Sequence, residues 1–282
     1  MIQLAGPCGA GGASLSSASN INLSFNGNLS LSAAAGAALA LSTSASAALV
    51  TQWSYTLNAQ WSAAAGSGPA AVTGAGSQTL AWGTSSGMGQ SKLVVSEPPA
   101  GTVNTNAGPA AGVTVTHENR PIFDYYGAFT HATLQASLFL VPVLPEALPG
   151  SNRVQNIHTK FVETANQPGT CSVASAQPCR DLFVLANPEQ VANGESFLLN
   201  DYLYTITVFP LDVGTFQTLP SAACAEDGMG PGCIGFSTEE NTVTSAPFGF
   251  RITGQVSEPG TVALLGLGLA ALGFAARRRQ RR

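Results

Sequence analysis

Three polar side chains that could carry chemistry lie close together in the sequence, at His117, Asn119 and Asp124. Imidazole, amide and carboxylate groups at this spacing could line a loop that binds a small ligand, or a hard cation through oxygen atoms. Asn and Asp beside Pro121 are also common turn formers, and Thr116 with His117 could cap that turn through side-chain to backbone hydrogen bonds. The residue types favour the structural role over a binding site.

Catalytic constellations are weak elsewhere in the chain. A histidine-dependent hydrolase would need His117, His131 or His158, and the latter two lie in stretches typical of strands. The sequence has no G-x-S-x-G elbow, no H-E-x-x-H and no phosphate- or dinucleotide-binding glycine motif. The acidic pairs 226–227 and 239–240 lie in loop-like stretches and are predicted to be solvated. We therefore expect no enzyme, no cofactor and no metal site, with a secreted hydrolase kept as an alternative.

The elements that would position these residues are predicted to be strands, because apolar and polar side chains alternate along many short segments. Glycine, proline, asparagine and serine clusters separate these segments and indicate turns. The period-two segments are 53–57, 80–82, 93–95, 113–115, 134–140, 157–161, 182–185, 202–209 and 248–252. This pattern predicts an all-β body, folded as an antiparallel β-sandwich.

Cysteine usage is typical of an exported protein. Cys8 belongs to the N-terminal region, and the body holds Cys171, Cys179, Cys224 and Cys233. Four cysteines in an oxidising compartment favour two disulfides, for which three connectivities are open. Pairing Cys171 with Cys179 and Cys224 with Cys233 is preferred, since each pair flanks one loop rich in proline or glycine. Zinc is the rival interpretation, but neither spacing is that of a tight zinc knuckle.

Composition and charge limit the classes of partner. Only 9% of the 282 residues are charged, whereas 45% are hydrophobic, which is enough for a buried core. Five of the 11 basic residues lie in 277–282, so the rest of the chain holds 6 basic against 15 acidic residues. An acidic body cannot release counterions from phosphates, and nucleic acid is therefore excluded as a partner.

The C-terminal part has the features of a membrane anchor. Residues 261–276 carry no charge and would span about 24 Å as a helix, slightly short of a bilayer core of about 30 Å. Arg277, Arg278 and Arg279 follow at once, together with Arg281 and Arg282. By the positive-inside rule these arginines hold the helix end in the cytoplasm and place the body outside. A single transmembrane helix in the inner membrane is predicted.

An export signal is predicted near the N-terminus. The segment 29–42 is apolar and is followed by Ala45-Ser46-Ala47, which fits the A-x-A rule for signal cleavage at Ala45 and Ala47. No basic residue precedes Lys92, so the usual positive region is missing. The predicted organisation is a low-complexity signal region over 1–47, a β-rich extracellular domain over 48–256 and a sorting region over 257–282.

The sorting region resembles a known family. Ser257, Glu258, Pro259, the apolar helix and the arginine cluster are similar to the PEP-CTERM signal that exosortases recognise and cleave. The family usually has proline where this chain has Ser257. The resemblance implies that an exosortase is a partner and that processing occurs at 257–259.

A second resemblance centres on Thr116, His117, Asn119, Pro121 and Ile122. This string resembles the motif of the THxN family of PEP-CTERM proteins, and looser similarities extend over most of 51–282. The family implies export and surface sorting, without an established reaction. We therefore expect an exported surface protein with a structural or adhesive role in an exopolysaccharide matrix. A carbohydrate-binding module is the alternative, and its candidate aromatic residues are Trp53, Trp61, Trp82, Tyr125 and Tyr126.

Overall fold

The computed structural model describes residues 48–67, 72–83, 87, 89–122, 128–145, 149–164, 166, 169–173 and 178–256, with 266, 268–270, 272–273 and 277. The chain divides into two units, Met1–Ser44 and Ala45–Arg282, and all described residues belong to the second. The predicted signal region, with Ala45 and Ala47, lies outside the described residues.

Strands dominate the described part of the chain. They are β1 (Gln52–Gly66), β2 (Thr79–Trp82), β3 (Ser91–Ser96), β4 (Gly101–Asn104), β5 (Ala110–Glu118), β6 (Phe129–Leu144), β7 (Ser151–Val162), β8 (Asp181–Leu185), β9 (Glu195–Leu199), β10 (Tyr202–Pro210), β11 (Gln217–Thr218), β12 (Ile234–Thr238) and β13 (Val243–Val256). Two short helices, α1 (Pro188–Asn193) and α2 (Ser221–Glu226), interrupt the series.

The strands form two antiparallel sheets. One has seven strands in the order β11-β12-β8-β7-β6-β1-β4, and the other has six in the order β2-β3-β5-β13-β10-β9. The longest pairing joins β1 to β6, with register shifts at three points where the ladder is irregular. The predicted all-β, antiparallel body is confirmed.

The two sheets share one core because each strand turns alternate side chains inward. Along β1, the odd-numbered residues from Trp53 to Trp61 are buried, while the even-numbered residues between them face outward. Trp53 meets Tyr204 of the other sheet edge to face, with ring centroids 5.1 Å apart. Tyr55 meets Phe250 in the same way at 5.0 Å. Aromatic side chains therefore connect the sheets at several points along β1.

Each of the nine predicted strand segments lies within an observed strand. The sequence pattern did not predict β4, β9, β11 or β12, nor the helices α1 and α2. The helices have only six residues each, which is less than two turns and too short to show a helical period.

The four body cysteines form the preferred disulfide pairs. Cys171 is joined to Cys179 and Cys224 to Cys233, with Cα atoms 5.2 and 5.7 Å apart. The second pair is buried in a small apolar cluster with Leu182, Val184 and Leu219, on the face of β8 that points away from the main core. This disulfide thus fixes α2 and its loop against the outer side of the seven-stranded sheet.

Removing the buried disulfide with Cys224→Ala and Cys233→Ala is expected to lower the free energy of unfolding by about 3 kcal/mol. The reason is that a cross-link closing a loop of this length reduces the conformational entropy of the unfolded chain by that amount. Loss of sulfur packing in the small cluster adds to the effect. The measurement is denaturant unfolding under oxidising conditions. The half-buried pair Cys171 and Cys179 closes a loop of similar length and serves as the control, with a smaller expected loss. Equal losses for both pairs would contradict the packing contribution.

Of the predicted membrane segment 261–276, the structure describes residues 266, 268–270 and 272–273, which are helical and exposed. Among the described residues, none of the helices has the length and apolar character needed to cross a membrane. The transmembrane helix therefore stays a prediction.

Candidate functional site

The motif that begins at Thr116, at the end of β5, has alternate side chains in the core and on the outer face of the sheet. Val115, His117 and Asn119 point into the core, and His117 and Asn119 are only 1% and 0% exposed. Thr116 points outward, where its Oγ1 lies 2.9 Å from Oγ of Ser245 on β13. The predicted turn-capping role of Thr116 and His117 is therefore wrong: one hydroxyl bonds across the sheet and the imidazole is a core side chain.

Aromatic rings enclose His117. Its ring stacks on Trp82 at 5.7 Å with an interplanar angle of 12°, and it meets Phe161 edge to face at 5.0 Å. Burial lowers the pKa of His117 to about 3, so the imidazole is neutral at physiological pH. Its Nε2 has no hydrogen-bond partner among the described residues. A neutral, enclosed imidazole cannot reach an external substrate, and its main role in this geometry is packing.

Replacing His117 by Ala is expected to destabilise the protein by about 3 kcal/mol, because the substitution removes a buried ring and leaves a cavity between Trp82 and Phe161. Chemical denaturation measures this loss. His158→Ala is the matched control, since His158 is exposed on β7, and we expect a change within about 0.5 kcal/mol. Comparable stability of the two variants would contradict the packing role of His117.

The remaining motif residues continue into the same region. Asn119 Nδ2 donates to the Thr238 carbonyl and to Glu240 Oε1, each at 3.3 Å. Ile122 is buried, and its carbonyl accepts a hydrogen bond from Asn166 Nδ2 at 2.9 Å. Pro121 lies between these two anchored positions. Asp124, which the sequence grouped with His117 and Asn119, lies outside the described residues.

Three carboxylates meet beside Asn119, at the ends of three neighbouring strands. Asp181 begins β8, and its ladder partner on β12 is Thr238. Glu163 directly follows β7, whose last residue Val162 pairs with Leu182. Continuing that register places Glu163 opposite Asp181 and on the same face of the sheet. Potential ligand oxygens of Glu163, Asp181 and Glu240 all lie within 4.8 Å of one another.

Electrostatics in this cluster disfavour bare negative charge. Burial, followed by the nearby charge of Glu163, raises the pKa of Asp181 well above its ordinary value. Burial also raises the pKa of Glu240, against a hydrogen bond from Asn119 that lowers it. The indole Nε1 of Trp82 donates to Glu163 Oε2 at 2.7 Å, and Thr164 donates to Asp181 Oδ1 from its amide at 2.8 Å. The cluster is thus held by directional bonds.

The prediction that 239–240 is solvated charge is wrong for Glu240, which is half-buried in this cluster. Glu239 does face solvent, where it pairs with Arg180. The sequence predicted no metal site and carried no sign of this cluster, because the three carboxylates are far apart in the chain. Only the pairing of β7, β8 and β12 brings them together.

The other two histidines lie on the outer face of the seven-stranded sheet and are exposed. His131 Nδ1 lies 3.1 Å from Thr130 Oγ1, and His158 Nδ1 lies 3.1 Å from Thr133 Oγ1. Within the part of the chain that the structure describes, none of the three histidines forms a hydrogen bond or ion pair with a carboxylate.

The three tryptophans among the aromatic residues proposed to bind carbohydrate occupy the core. Trp53 and Trp61 are 0% exposed and Trp82 is 1% exposed, so these indoles cannot stack on an external sugar ring. Tyr125 and Tyr126 lie outside the described residues. A carbohydrate surface built on these three tryptophans is therefore ruled out.

A polar groove of about 880 Å³ crosses the outer face of the seven-stranded sheet. Amide side chains from three adjacent strands line it, with an exposed aromatic ring and one carboxylate. These residues are Asn58, Gln60, Gln135, Asn152, Phe139 and Glu97. Phe139 is 44% exposed, and Glu97 Oε1 accepts a hydrogen bond from the Ala59 amide at 2.6 Å. Sequence reasoning missed this groove because its polar residues are the ordinary outward positions of amphipathic strands.

The C-terminal segment 255–279 matches the family model of the PEP-CTERM protein-sorting motif. The chain carries an exosortase sorting motif. This PEP-CTERM match includes Ser257, Glu258, Pro259, Arg277, Arg278 and Arg279, of which the structure describes only Arg277. It supports export through the membrane to the cell surface and recognition by an exosortase.

The PEP-CTERM match does not include Thr116–Ile122, and membership of the THxN family stays a prediction. Among curated proteins, none matches the chain.

Proposed function

We propose that this chain is a non-catalytic surface protein of the THxN type, which an exosortase processes at 257–259 and which binds exopolysaccharide in a structural or adhesive role. The observation that carries the proposal is the PEP-CTERM match over 255–279. Exosortase substrates must cross the membrane, so the predicted signal region and apolar helix belong to the same proposal.

The histidine geometry supports the non-catalytic part of the proposal. His117 is enclosed by aromatic rings. Among the described residues, the side chains of His131 and His158 hydrogen-bond only to threonine hydroxyls. In a Ser-His-Asp arrangement, the general-base histidine is oriented by a carboxylate and also reaches the substrate. None of the three meets both conditions in the described part of the structure.

The polar groove supports the polysaccharide part of the proposal. Sugars present many hydroxyls, which amide side chains can contact as both donors and acceptors. Phe139 adds an exposed apolar surface beside Asn152, and this combination suits a chain of neutral sugar rings. We infer that the outer face of β1, β6 and β7 is the surface that contacts the matrix.

Processing and destination are tested by intact-mass analysis of each cell fraction from the native host. The expected product begins near Ala48, ends near 257–259 and is recovered with the cell surface or its matrix. A chain that keeps residues 261–282 in every fraction would overturn the exosortase part of the proposal.

Matrix binding is tested separately, by pull-down of the purified protein with the host's exopolysaccharide. Phe139→Ala, combined with Gln60→Ala, is expected to reduce the retained fraction at least about tenfold, since an aromatic anchor and a hydrogen-bonding group are both lost. Leu198→Ala is the control, because Leu198 is 66% exposed on the six-stranded sheet. Equal retention of all three proteins would exclude the groove as the binding surface.

A further inference from the structure

The carboxylate cluster brings three acidic groups together at a partly buried position. Three acidic side chains with oxygens within 4.8 Å of one another repel strongly when they are removed from water. The basic residues next to Asp181 and Asn119 in the sequence have other partners: Arg180 pairs with Glu239, and Arg120 donates to Asn241 Oδ1 at 2.8 Å. Among the described residues, no ion pair involves Asp181 or Glu240.

Buried oxygens beside the cluster give a second, independent sign of a missing ligand. Asn119 is 0% exposed, and its amide lies against Glu240, yet its Oδ1 has no hydrogen-bond partner among the described residues. The same holds for Thr238 Oγ1, which shares a face with Asp181, and for Asp181 Oδ2. Buried polar atoms in folded proteins are rarely left unsatisfied unless water or an ion fills the role.

We propose that Glu163, Asp181, Glu240 and Asn119 bind one calcium ion, with Thr238 as a further oxygen donor. Carboxylate, amide and hydroxyl oxygens are the ligands that hard cations prefer. The potential metal-ligating group among the described residues contains only carboxylates, without histidine or cysteine, which disfavours zinc. Calcium accepts irregular sets of oxygens, whereas magnesium requires near-octahedral geometry.

The ion would connect the two sheets. Glu163, Asp181 and Glu240 follow or begin strands of the seven-stranded sheet, while Asn119 directly follows β5 of the other sheet. A cation bound between them replaces repulsion with attraction at the point where these strand ends meet. Calcium is abundant outside cells, so the site suits the exported location that the sorting motif supports.

The test is calorimetric titration of purified full-length protein, freed of metal with EDTA, with Ca²⁺, Mg²⁺ or Zn²⁺. We expect one calcium per chain with a dissociation constant of about 10⁻⁴ M, in the range of extracellular calcium modules, and weaker binding of Mg²⁺. Asp181→Asn and Glu240→Gln should each weaken calcium binding at least about tenfold, since loss even of outer-shell partners costs that much. Glu226→Gln removes the same charge at an exposed position and should bind like the unchanged protein.

A luminescence measurement keeps the proposal falsifiable if Asp181→Asn does not fold. Trp82 donates to Glu163, so its excitation should sensitise Tb³⁺ bound at this site, and Ca²⁺ should displace the signal. Glu240→Gln should reduce the signal, and Glu226→Gln should not. Absence of saturable calcium binding, equal binding by all variants, or preference for Zn²⁺ over Ca²⁺ would each overturn the proposal.

Discussion

A variant that ends at Val256 is expected to lose surface sorting completely. It retains all thirteen strands of the described body but lacks 257–282, which contain most of the PEP-CTERM match. This variant lacks the predicted anchor, the apolar segment with its arginines, so we expect recovery of the folded body in the medium. Fractionation with immunodetection measures the distribution between cell surface and medium.

A double variant separates recognition by the exosortase from retention in the membrane. Glu258→Ala with Pro259→Ala leaves the apolar segment and arginines in place, and we expect an unprocessed chain that accumulates in the membrane. Pro188→Ala with Glu189→Ala changes the same residue types at the start of α1 and serves as the control, with normal processing. Normal surface location of the chain that ends at Val256 would refute the role of this segment in sorting.

Trp53→Ala is expected to cost about 3–5 kcal/mol of unfolding free energy, the largest stability loss that we predict from a single side chain. The Trp53 indole is 0% exposed and contacts Phe197 and Tyr204 of the other sheet. Its Nε1 donates to Thr105 Oγ1 at 2.9 Å, so the substitution also leaves a half-buried hydroxyl without this partner. Denaturant unfolding of the two proteins measures the difference.

Phe139→Ala is the matched control for Trp53→Ala, because Phe139 lies on the adjacent strand β6 with its ring 44% exposed. A change below about 1 kcal/mol is expected there. If both substitutions destabilised the protein equally, contacts between the sheets at Trp53 would not be a main source of stability.

Strand prediction succeeded where alternation was long enough to be visible. The segment 53–57 of β1 and the segment 134–140 of β6 lie on two strands that pair along most of their length, and each buries one face. Alternation did not predict β4, because this strand starts at Gly101 and has one buried residue, Val103, which gives no period of two. Alternation did not predict β12 either, because Gly235 interrupts its apolar pattern, although both Gly235 and Phe236 are buried.

Site prediction was limited by a different physical cause. His117 and Asn119 were recognised as polar residues with a special role, but sequence could not show that both point into the core. The carboxylates at 163, 181 and 240 follow no spacing motif, because the register of three strands brings them together. Burial decided the tryptophans in the same way: Trp53, Trp61 and Trp82 were candidates for a carbohydrate-binding surface, and the structure places all three in the core.

Almost no linker separates the end of the final strand, β13, from the sorting motif. β13 is paired with β10 up to Val256, which is itself within the matched segment 255–279. Pro259 follows three residues later, a length of chain that reaches about 11 Å even when fully extended. A processing enzyme that acts at 257–259 must therefore bind its cleavage site directly beside the folded β domain. Otherwise it must cut before β13 pairs with β5 and β10.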